Sequence, residues 1–215
     1  MTDTTAKPIG LLGGTFNPIH HGHLRLALEL YERLNLDHVR LIPSANPPHR
    51  EQPSVSSRLR LEMVEAAITD VEALVADARE LEREGPSYMV DTLSSLRIDF
   101  PDRSLCLILG MDAFMGLAKW YQWERLIELT NLIVVHRPGK LLPMTKQMRK
   151  FLKRYQTYSR SELAQHCAGK IFMEEIPELM ISSTQIRALI HQGKTPRYLL
   201  PIAVLQRIQH HQLYR

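Results

Sequence analysis

Short, continuous apolar runs alternate along this chain with segments in which apolar residues recur at helical spacing. The clearest runs span residues 8–14, 38–44, 104–110 and 131–139. Because such runs are typical of strands buried on both faces, they predict a parallel sheet. The segments between them predict helices, and residues 22–36 show the pattern at Leu24, Leu28, Tyr31 and Leu34.

Weaker signals fill in the rest of the pattern. Helices are also predicted at 58–68, 88–100, 124–130, 183–193 and 201–211, and strands at 72–81 and 170–176. Residues 141–169 are polar and less periodic, which predicts a helical insertion or lid of unassigned role. Strand and helix alternate, so the predicted fold class is α/β and Rossmann-like, a mostly parallel sheet with helices on both faces. Because 215 residues can form one sizeable core, we expect a single domain over residues 1–215.

Composition narrows the class of protein only slightly. The net charge of +4 and the pI of about 9.1 favour an anionic partner weakly, because the basic segment 148–160 is typical of the solvated face of a helix. No apolar run approaches the length of a membrane span, and residues 1–10 lack the apolar core of a signal peptide. We therefore expect a cytoplasmic protein without membrane or nucleic-acid partners. Cys106 and Cys167 are far apart in the sequence, which predicts reduced thiols.

Candidate chemistry gathers at the predicted carboxyl ends of the strands, where open parallel sheets bind their ligands. Four loops qualify, and we expect them to converge: residues 13–15, 43–50, 110–112 and 136–139. The first opens the segment GGTFNPIHHGH, which fits neither the GxGxxG pattern nor a P-loop. A later GKT follows a predicted helix and not a strand, so its glycine, Gly193, is interpreted as a helix C-cap.

His20 and His23 lie three positions apart at the predicted start of the first helix. Unpaired backbone N–H groups and the positive end of the helix dipole suit a phosphate there, and imidazole N–H groups can donate to its oxygens. Gly14 and Gly22 are predicted to let the backbone approach the ligand. A zinc site and a purely structural role stay open at this point, although no Cys or HExxH pattern supplies further metal ligands.

A second cluster, ISSTQIR, has a similar character. Ser182 and Gln185 match the S-x-x-Q pattern of a capping box at a helix start. Ser183 and Thr184 add hydroxyl groups, and Arg187 follows one turn later on the side of Ser183. A well-capped helix is the minimal interpretation. Two electropositive helix starts in one chain nevertheless predict a polyphosphate that is held from both sides.

Together, GGTFNPIHHGH and ISSTQIR resemble the two signatures of the HxGH nucleotidyltransferase superfamily. Four other segments are similar to the bacterial nicotinate mononucleotide adenylyltransferases: IPSANPPHR, GPSYMVDTL, LILGMDAFMGLAKWYQWERL and IVVHRPG. The likeness extends from Ile9 to about Leu200. It implies transfer of the adenylyl group of ATP to nicotinate mononucleotide, giving deamido-NAD and pyrophosphate in NAD biosynthesis. It also implies that the C-terminal helices, from about residue 183, complete the ATP site.

The resemblance assigns roles to individual residues. His20 and His23 match the catalytic histidines. With them, the implied ATP site comprises Gly13, Gly14, Thr15, Phe16, Gly110, Asp112, Arg137, Ser182, Ser183, Thr184 and Arg187. The implied nicotinate mononucleotide site comprises Thr15, Asn46, Arg50, Tyr88, Thr92, Trp120 and Tyr121. In it, the Trp120 ring is expected to stack on the pyridine and the Tyr121 backbone N–H to hold the carboxylate. Mg²⁺ is expected to accompany ATP, and no residue is assigned to a resident metal.

Two departures from the family pattern and several alternatives accompany this hypothesis. Asn17 stands where many relatives carry Asp, and Met89 where a hydroxyl residue is common. The acceptor could instead be nicotinamide mononucleotide or pantetheine phosphate. From other classes, the chain could be an RNA-binding module related to class I synthetases or a nucleotide sensor without activity. The sequence does not set the oligomeric state, and a homodimer is one option.

Overall fold

The computed structural model describes residues 6–47, 53–137, 144–177 and 179–215, and in them strands and helices alternate as predicted. The strands are β1 (Ile9–Gly14), β2 (His38–Pro43), β3 (Leu74–Ala76), β4 (Leu105–Gly110), β5 (Asn131–His136), β6 (Gln156–Thr157) and β7 (Ile171–Glu175). The helices are α1 (His21–Arg33), α2 (Ser57–Ile68), α3 (Met89–Asp99), α4 (Met111–Met115), α5 (Leu126–Leu129), α6 (Lys146–Tyr155), α7 (Ser161–Gln165), α8 (Ser183–His191) and α9 (Ile202–His210). Short 3-10 turns lie at Leu117–Lys119 and Trp123–Arg125.

The strands form a seven-stranded sheet in the order β3-β2-β1-β4-β5-β7-β6. β1 pairs with β4, β4 with β5, β5 with β7, and β6 with β7, all in parallel. The strand order reverses between β1 and β4, as it does in doubly wound nucleotide-binding folds. The predicted Rossmann-like α/β class is therefore confirmed.

Where the structure adds elements to the predicted pattern, the elements are short. The predicted helical insertion contains α6 and α7, with β6 between them at the edge of the sheet. β6 has two residues and α4 has five, so neither is long enough to show a hydrophobic period. The prediction that this insertion acts as a lid stays a prediction.

The buried face of α1 is rotated slightly from the predicted one. Leu24 and Leu34 are buried as expected, but Ala27 and Leu30 complete the buried stripe. Leu28 and Tyr31 lie half-buried on its flank. Alanine is small and leaves little trace in an apolar pattern, which is why the sequence favoured its larger neighbours.

The chain divides into two compact units, which each take residues from separate parts of the sequence. The first unit comprises the described residues of 1–12, 30–39 and 88–177, and the second those of 13–29, 40–87 and 178–215. The prediction of a single domain over the whole chain stays a prediction. None of the helices within the described segments is long and apolar enough to cross a membrane.

The core of the first unit is built on β4 and β5, whose apolar side chains are almost completely buried. Two buried polar residues add hydrogen bonds here. Thr130, just before β5, donates its hydroxyl to the Leu105 carbonyl of β4 at 2.8 Å, and the Asn131 side-chain amide of β5 donates to the His166 carbonyl after α7 at 2.7 Å. Burial raises the pKa of the nearby Cys106 thiol to about 12, so this cysteine is protonated and inert.

The second unit is organised around α2, which packs against α9 and β3. Ser56 caps α2 by accepting a hydrogen bond from the Leu59 amide at 3.3 Å. Just after β3, buried Asp77 accepts hydrogen bonds from Arg40 and Arg79, each at 2.8 Å. Burial alone would raise the pKa of this carboxyl group, but the two arginines outweigh it and lower the pKa.

Candidate active site

The loop between β1 and α1, Thr15–His20, leads directly into the predicted histidine pair, and we call it the histidine loop. Its last carbonyl, that of His20, accepts hydrogen bonds from the amides of His23 at 3.0 Å and Leu24 at 3.2 Å, so α1 starts here and His23 lies in its first turn, as predicted. The amide of His21 donates to the Leu199 carbonyl at 3.0 Å. Because these three amides already have acceptors, the helix start offers an anion fewer backbone N–H donors than predicted. More of the hydrogen bonds to an anion must then come from the imidazole N–H groups.

The two histidine side chains stack face to face. Their ring centroids are 3.7 Å apart and the planes differ by 20°. Phe16 supports this pair from the side, with its ring centroid 5.1 Å from that of His23 and the two planes at 89°. Phe16 is only 2% exposed and has a φ of 45°, so it is a buried support that a sharp turn places against the His23 ring.

The glycines next to this pair make room for its rings. A Cβ on Gly22 would lie 3.0 Å from two atoms of the His20 imidazole, and one on Gly14 would lie 3.0 Å from the Phe16 ring. The sequence predicted that Gly14 and Gly22 let a ligand approach the backbone. In the structure, the space that a side chain would need is taken by the motif's own aromatic groups.

Both histidines are neutral at pH 7. Burial, with a smaller contribution from His21, lowers the pKa of His20 to about 4. Burial, with a smaller contribution from His20, lowers the pKa of His23 to about 3. The histidines are therefore available as neutral N–H donors, and any positive character of this helix start comes from the helix end and not from the rings.

The histidine pair also carries unused hydrogen-bonding capacity. The Nδ1 atoms of His20 and His23 are both buried, and neither has a hydrogen-bond partner among the described residues. Buried polar atoms are normally paired, and an unpaired one is costly. Two such atoms in stacked rings indicate a site at which a bound ligand would supply the missing hydrogen-bond partners.

The second predicted cluster, at the start of α8, contacts the histidine loop directly. Ser183 donates its hydroxyl to the Pro18 carbonyl at 2.8 Å, and Arg187 donates to the Asn17 carbonyl at 2.8 Å. Ser182 caps the helix by accepting from the Gln185 amide at 3.1 Å, which is half of the predicted capping box. The two motifs, which are more than 150 residues apart in sequence, therefore meet within the second unit.

Arg60 also holds the histidine loop, and the sequence analysis missed it. This arginine of α2 is 1% exposed and donates to the carbonyls of Thr15 at 2.7 Å, Ala45 at 3.3 Å and Val55 at 3.3 Å. It thereby ties the loop after β1 to the loop after β2. The only signal in the sequence is its position: Arg60 lies one turn before Val64, on a helix face whose other residues are apolar.

The loop after β2 contains two of the predicted substrate residues. The backbone N–H of Asn46 donates to the Ser87 hydroxyl at 2.9 Å, and the backbone N–H of Ser87 donates to the Asn46 backbone carbonyl at 2.8 Å. The segments IPSANPPHR and GPSYMVDTL therefore meet at these two residues. Arg50, the other predicted residue of this loop, lies outside the described residues.

The predicted pyridine-binding residues belong to the first unit. Tyr88 and Tyr121 lie side by side, with ring centroids 4.5 Å apart, and Tyr121 is 49% exposed. Trp120 is half-buried at the end of a 3-10 turn. Its neighbour Trp123 packs edge to face on Phe151 at 4.9 Å, and both of these rings are half-buried. Tyr121 is exposed and Tyr88 is half-buried, so this aromatic pair leaves ring surface on which a flat ring can stack.

The remaining predicted residues of the first unit differ in how accessible they are. Thr92 is fully buried and donates its hydroxyl to the Tyr88 carbonyl at 3.4 Å, so it supports α3 and does not face solvent. Gly110 is the N-cap of α4, and Asp112 is exposed in the first turn of that helix, so Asp112 is not its cap. Arg137 follows β5 and is exposed. The predicted convergence of the four loops stays a prediction.

The described side chains do not form a metal site. No group of three or more His, Cys, Asp or Glu side chains within the described ranges could hold a metal ion. The zinc alternative for His20 and His23 therefore finds no further ligands in this part of the chain. A divalent cation would have to arrive with its own ligands, for example the phosphate oxygens of a nucleotide.

Comparison with known proteins places this chain in a family. Residues 11–189 match the family model described as cytidylyltransferase-like. A protein of Methylococcus capsulatus named "Probable nicotinate-nucleotide adenylyltransferase" is 44% identical over 207 residues, covering 96% of this chain and 99% of that protein. One of Pseudomonas paraeruginosa with the same name is 45% identical over 210 residues, covering 97% and 98%.

Solved structures agree on the fold. Plasmodium falciparum nicotinic acid mononucleotide adenylyltransferase complexed with NaAD superimposes with a TM-score of 0.72 at 17% identity, covering 97% of both chains. The same enzyme complexed with APC gives a TM-score of 0.70 at 16% identity, again covering 97% of both chains. At these identities the likeness concerns the course of the backbone.

Proposed function

The chain belongs to the nicotinate-nucleotide adenylyltransferases of the cytidylyltransferase-like family, and we propose that it transfers the adenylyl group of ATP to nicotinate mononucleotide. A phosphate oxygen of nicotinate mononucleotide attacks the α-phosphorus of ATP. The bond from that phosphorus to the β-phosphate breaks, and pyrophosphate leaves. The products are deamido-NAD and pyrophosphate.

The observation that carries this proposal is the junction of the two motifs. The stacked, desolvated histidines and the Ser-Ser-Thr-Arg helix start belong to one compact unit and are joined by two hydrogen bonds. Such a junction suits one polyphosphate that contacts both helix starts. A zinc site or a solvated helix cap would not require this contact.

The attacking group needs no base from the protein. The second pKa of a phosphate monoester is ~6, so nicotinate mononucleotide is already ionised near neutral pH. The rate enhancement then comes from positioning the reactants and from stabilising the charge that develops at the α-phosphate.

His20 and His23 are suited to that second task because they are neutral in the free protein. Each neutral imidazole has one N–H donor, and the buried Nδ1 atoms lack partners within the described segments. A bound triphosphate supplies an acceptor and also raises the pKa of both rings. We propose that His23, with His20, donates to the α-phosphate oxygens in the transition state.

The start of α8 is suited to holding the leaving pyrophosphate. Arg187 carries a permanent charge, and Thr184, whose oxygen accepts from Arg187 at 3.5 Å, can donate its own proton. The Ser182 hydroxyl likewise accepts from a backbone amide and can donate. Ser183 already donates to Pro18, so we assign it first to positioning the histidine loop.

The other predicted residues complete the two substrate sites in this proposal. Gly13, Gly14, Thr15, Phe16, Gly110, Asp112 and Arg137 are assigned to the ATP side. Thr15, Asn46, Arg50, Tyr88, Thr92, Trp120 and Tyr121 are assigned to nicotinate mononucleotide, where buried Thr92 acts only by supporting Tyr88. Mg²⁺ is proposed to enter as part of the substrate Mg-ATP and to neutralise its phosphate oxygens.

The test is a pyrophosphate-release assay with purified protein and Mg-ATP. Nicotinate mononucleotide, nicotinamide mononucleotide and pantetheine phosphate are offered in parallel at equal concentration. The proposal expects the highest kcat/KM with the nicotinate form and deamido-NAD as the product. Preferred turnover of pantetheine phosphate, or no turnover with the nicotinate form, would reject it.

A further inference from the structure

The C-terminal tail of the chain contacts the histidine loop. The hydroxyl of Tyr214, the second-to-last residue, donates to the side-chain oxygen of Asn17 at 2.6 Å, across 197 residues of sequence. Asn17 lies in the middle of the histidine loop. None of the motifs in the sequence draws attention to Tyr214, because the tail lies beyond the segments that resemble the family.

The backbone of the tail is shaped for this contact. After α9, the Leu213 amide donates to the Ile208 carbonyl at 3.0 Å and the Gln212 amide to the Gln209 carbonyl at 3.2 Å, which are the two bonds of a Schellman motif. Gln212 has a φ of 53° and Tyr214 a φ of 64°. Left-handed conformations are unfavourable for residues with a Cβ, so this path relies on compensating contacts.

Tyr214 is well suited to act as a hydrogen-bond donor. Burial raises the pKa of its hydroxyl group well above the ordinary value, although the positive charges of Arg187 and Arg60 oppose this. The hydroxyl is therefore protonated throughout the physiological range. Because its proton is donated to Asn17 Oδ1, the Asn17 amide is held in one orientation.

The Tyr214 contact completes a set of four hydrogen bonds on the histidine loop. Arg60 holds the Thr15 carbonyl, Arg187 the Asn17 carbonyl and Ser183 the Pro18 carbonyl, while Tyr214 holds the Asn17 side chain. Three of these donors come from helices α2 and α8. Of these four donors, only Tyr214 binds a side chain, and it lies in the C-terminal tail.

We propose that Tyr214 is a positioning residue for adenylyl transfer, which fixes Asn17 and with it the histidine loop that presents His20 and His23. The inference rests on the proposed function for its kinetic test. Loosening Asn17 would allow the loop, and the Arg187 contact to the same residue, to sample other arrangements. Because such a loop would align the reacting groups less well, kcat should fall by a larger factor than the factor by which the KM for ATP changes.

The first experiment compares Tyr214→Phe with a matched hydroxyl deletion, Tyr158→Phe, at a tyrosine that is 86% exposed. We expect Tyr214→Phe to lower kcat by about tenfold, as the loss of one positioning hydrogen bond would. Tyr158→Phe should behave as the wild type. A Tyr214→Phe protein with unchanged kcat would overturn the proposal.

The second experiment is a double-mutant cycle that separates positioning from general stability. In an Asn17→Ala background, where the acceptor is gone, Tyr214→Phe should have almost no further effect on kcat. The Asn17→Asp protein, whose carboxylate can still accept from the tyrosine, should retain the sensitivity to Tyr214→Phe. A loss that is equally large in the Asn17→Ala background would contradict the proposal, since the hydroxyl would then act elsewhere.

The third experiment does not depend on turnover. Chains that end at Tyr214 and at Leu213 are compared by the imidazole NMR signals of His20 and His23. The chain that ends at Tyr214 should give wild-type signals, and the one that ends at Leu213 should shift or broaden both. Unchanged signals in the shorter chain would overturn the proposal even if the wild type lacked the proposed activity, so the two ideas can fail separately.

Discussion

The starts of helices α1 and α8 both fit the description of an anion-binding helix end, yet they differ physically. At α1, His20 is 4% exposed and His23 is half-buried, and their stacked imidazoles are both neutral. At α8, Ser182 and Thr184 are exposed, and half-buried Arg187 carries a positively charged guanidinium group. One helix start presents neutral, largely desolvated imidazoles, and the other presents exposed hydroxyl groups and a positive guanidinium group.

This difference suggests that the two helix starts have different roles in the reaction. A permanent charge near water attracts a phosphate equally in the bound ground state and in the transition state. A desolvated neutral donor gains most when negative charge develops against it, because the local dielectric constant is low. We therefore expect the α8 cluster to determine ATP affinity and the histidine pair to determine the rate.

The largest expected effect is that of His23→Ala on the rate. Loss of one transition-state donor should lower kcat by ~10²–10³, with a smaller change in the KM for ATP. Steady-state kinetics with saturating nicotinate mononucleotide measure both constants. His191→Ala, at an exposed histidine of α8, is the matched control. An effect confined to KM would remove the proposed difference between the two helix starts.

The next largest effect is expected for Arg187→Ala. Loss of a charge-assisted hydrogen bond should raise the KM for ATP by about 10–100-fold, and loss of the Asn17 contact should lower kcat by at most about tenfold. High salt should reduce this difference between variant and wild type, because Arg187 lies near solvent. Should the variant lose kcat at unchanged KM, Arg187 would act through the Asn17 carbonyl and not on ATP.

A smaller effect is expected on stability at low pH. The pKa values of His20 and His23 in the fold lie below the ordinary value, so between about pH 6.5 and pH 4 the unfolded chain binds more protons than the folded one. The free energy of unfolding should therefore fall as the pH is lowered through this window, by up to about 1.4 kcal/mol per pH unit for each histidine.

Urea unfolding at pH 7, 6 and 5 measures this slope. His23→Gln should flatten it, because one of the two suppressed titrations is removed. His211→Gln, at an exposed histidine, should leave the slope as it is. Equal slopes in all three proteins would indicate that His23 titrates normally in the fold.

The sequence predicted best the features that depend on local pattern. β1, β4 and β5 are continuous apolar runs, and the structure has them where the sequence places them. The N-cap at Ser182 follows from residue types at fixed spacing. Gly193, predicted as a helix C-cap, has a φ of 69° one residue past the cap of α8, where a left-handed residue ends a Schellman motif.

The sequence could not predict features that arise from distant contacts. Arg60 reaches the Thr15 carbonyl across 45 residues and Tyr214 reaches Asn17 across 197, and no spacing rule covers such distances. The neutrality of the histidines is of the same kind. Spacing shows that His20 and His23 share one side of a helix start, but the stacking and burial that lower their pKa values exist only in the folded chain.

The pKa values of His20 and His23, with and without bound nucleotide, test the central claim most directly. Imidazole NMR signals, assigned through His20→Gln and His23→Gln, are followed between pH 8 and 5 in the free protein and with a non-hydrolysable ATP analogue. The account predicts that both rings stay neutral at pH 5 in the free protein and that the analogue raises both pKa values. Titration of the free protein near pH 6.5, or signals that do not respond to the analogue, would contradict it.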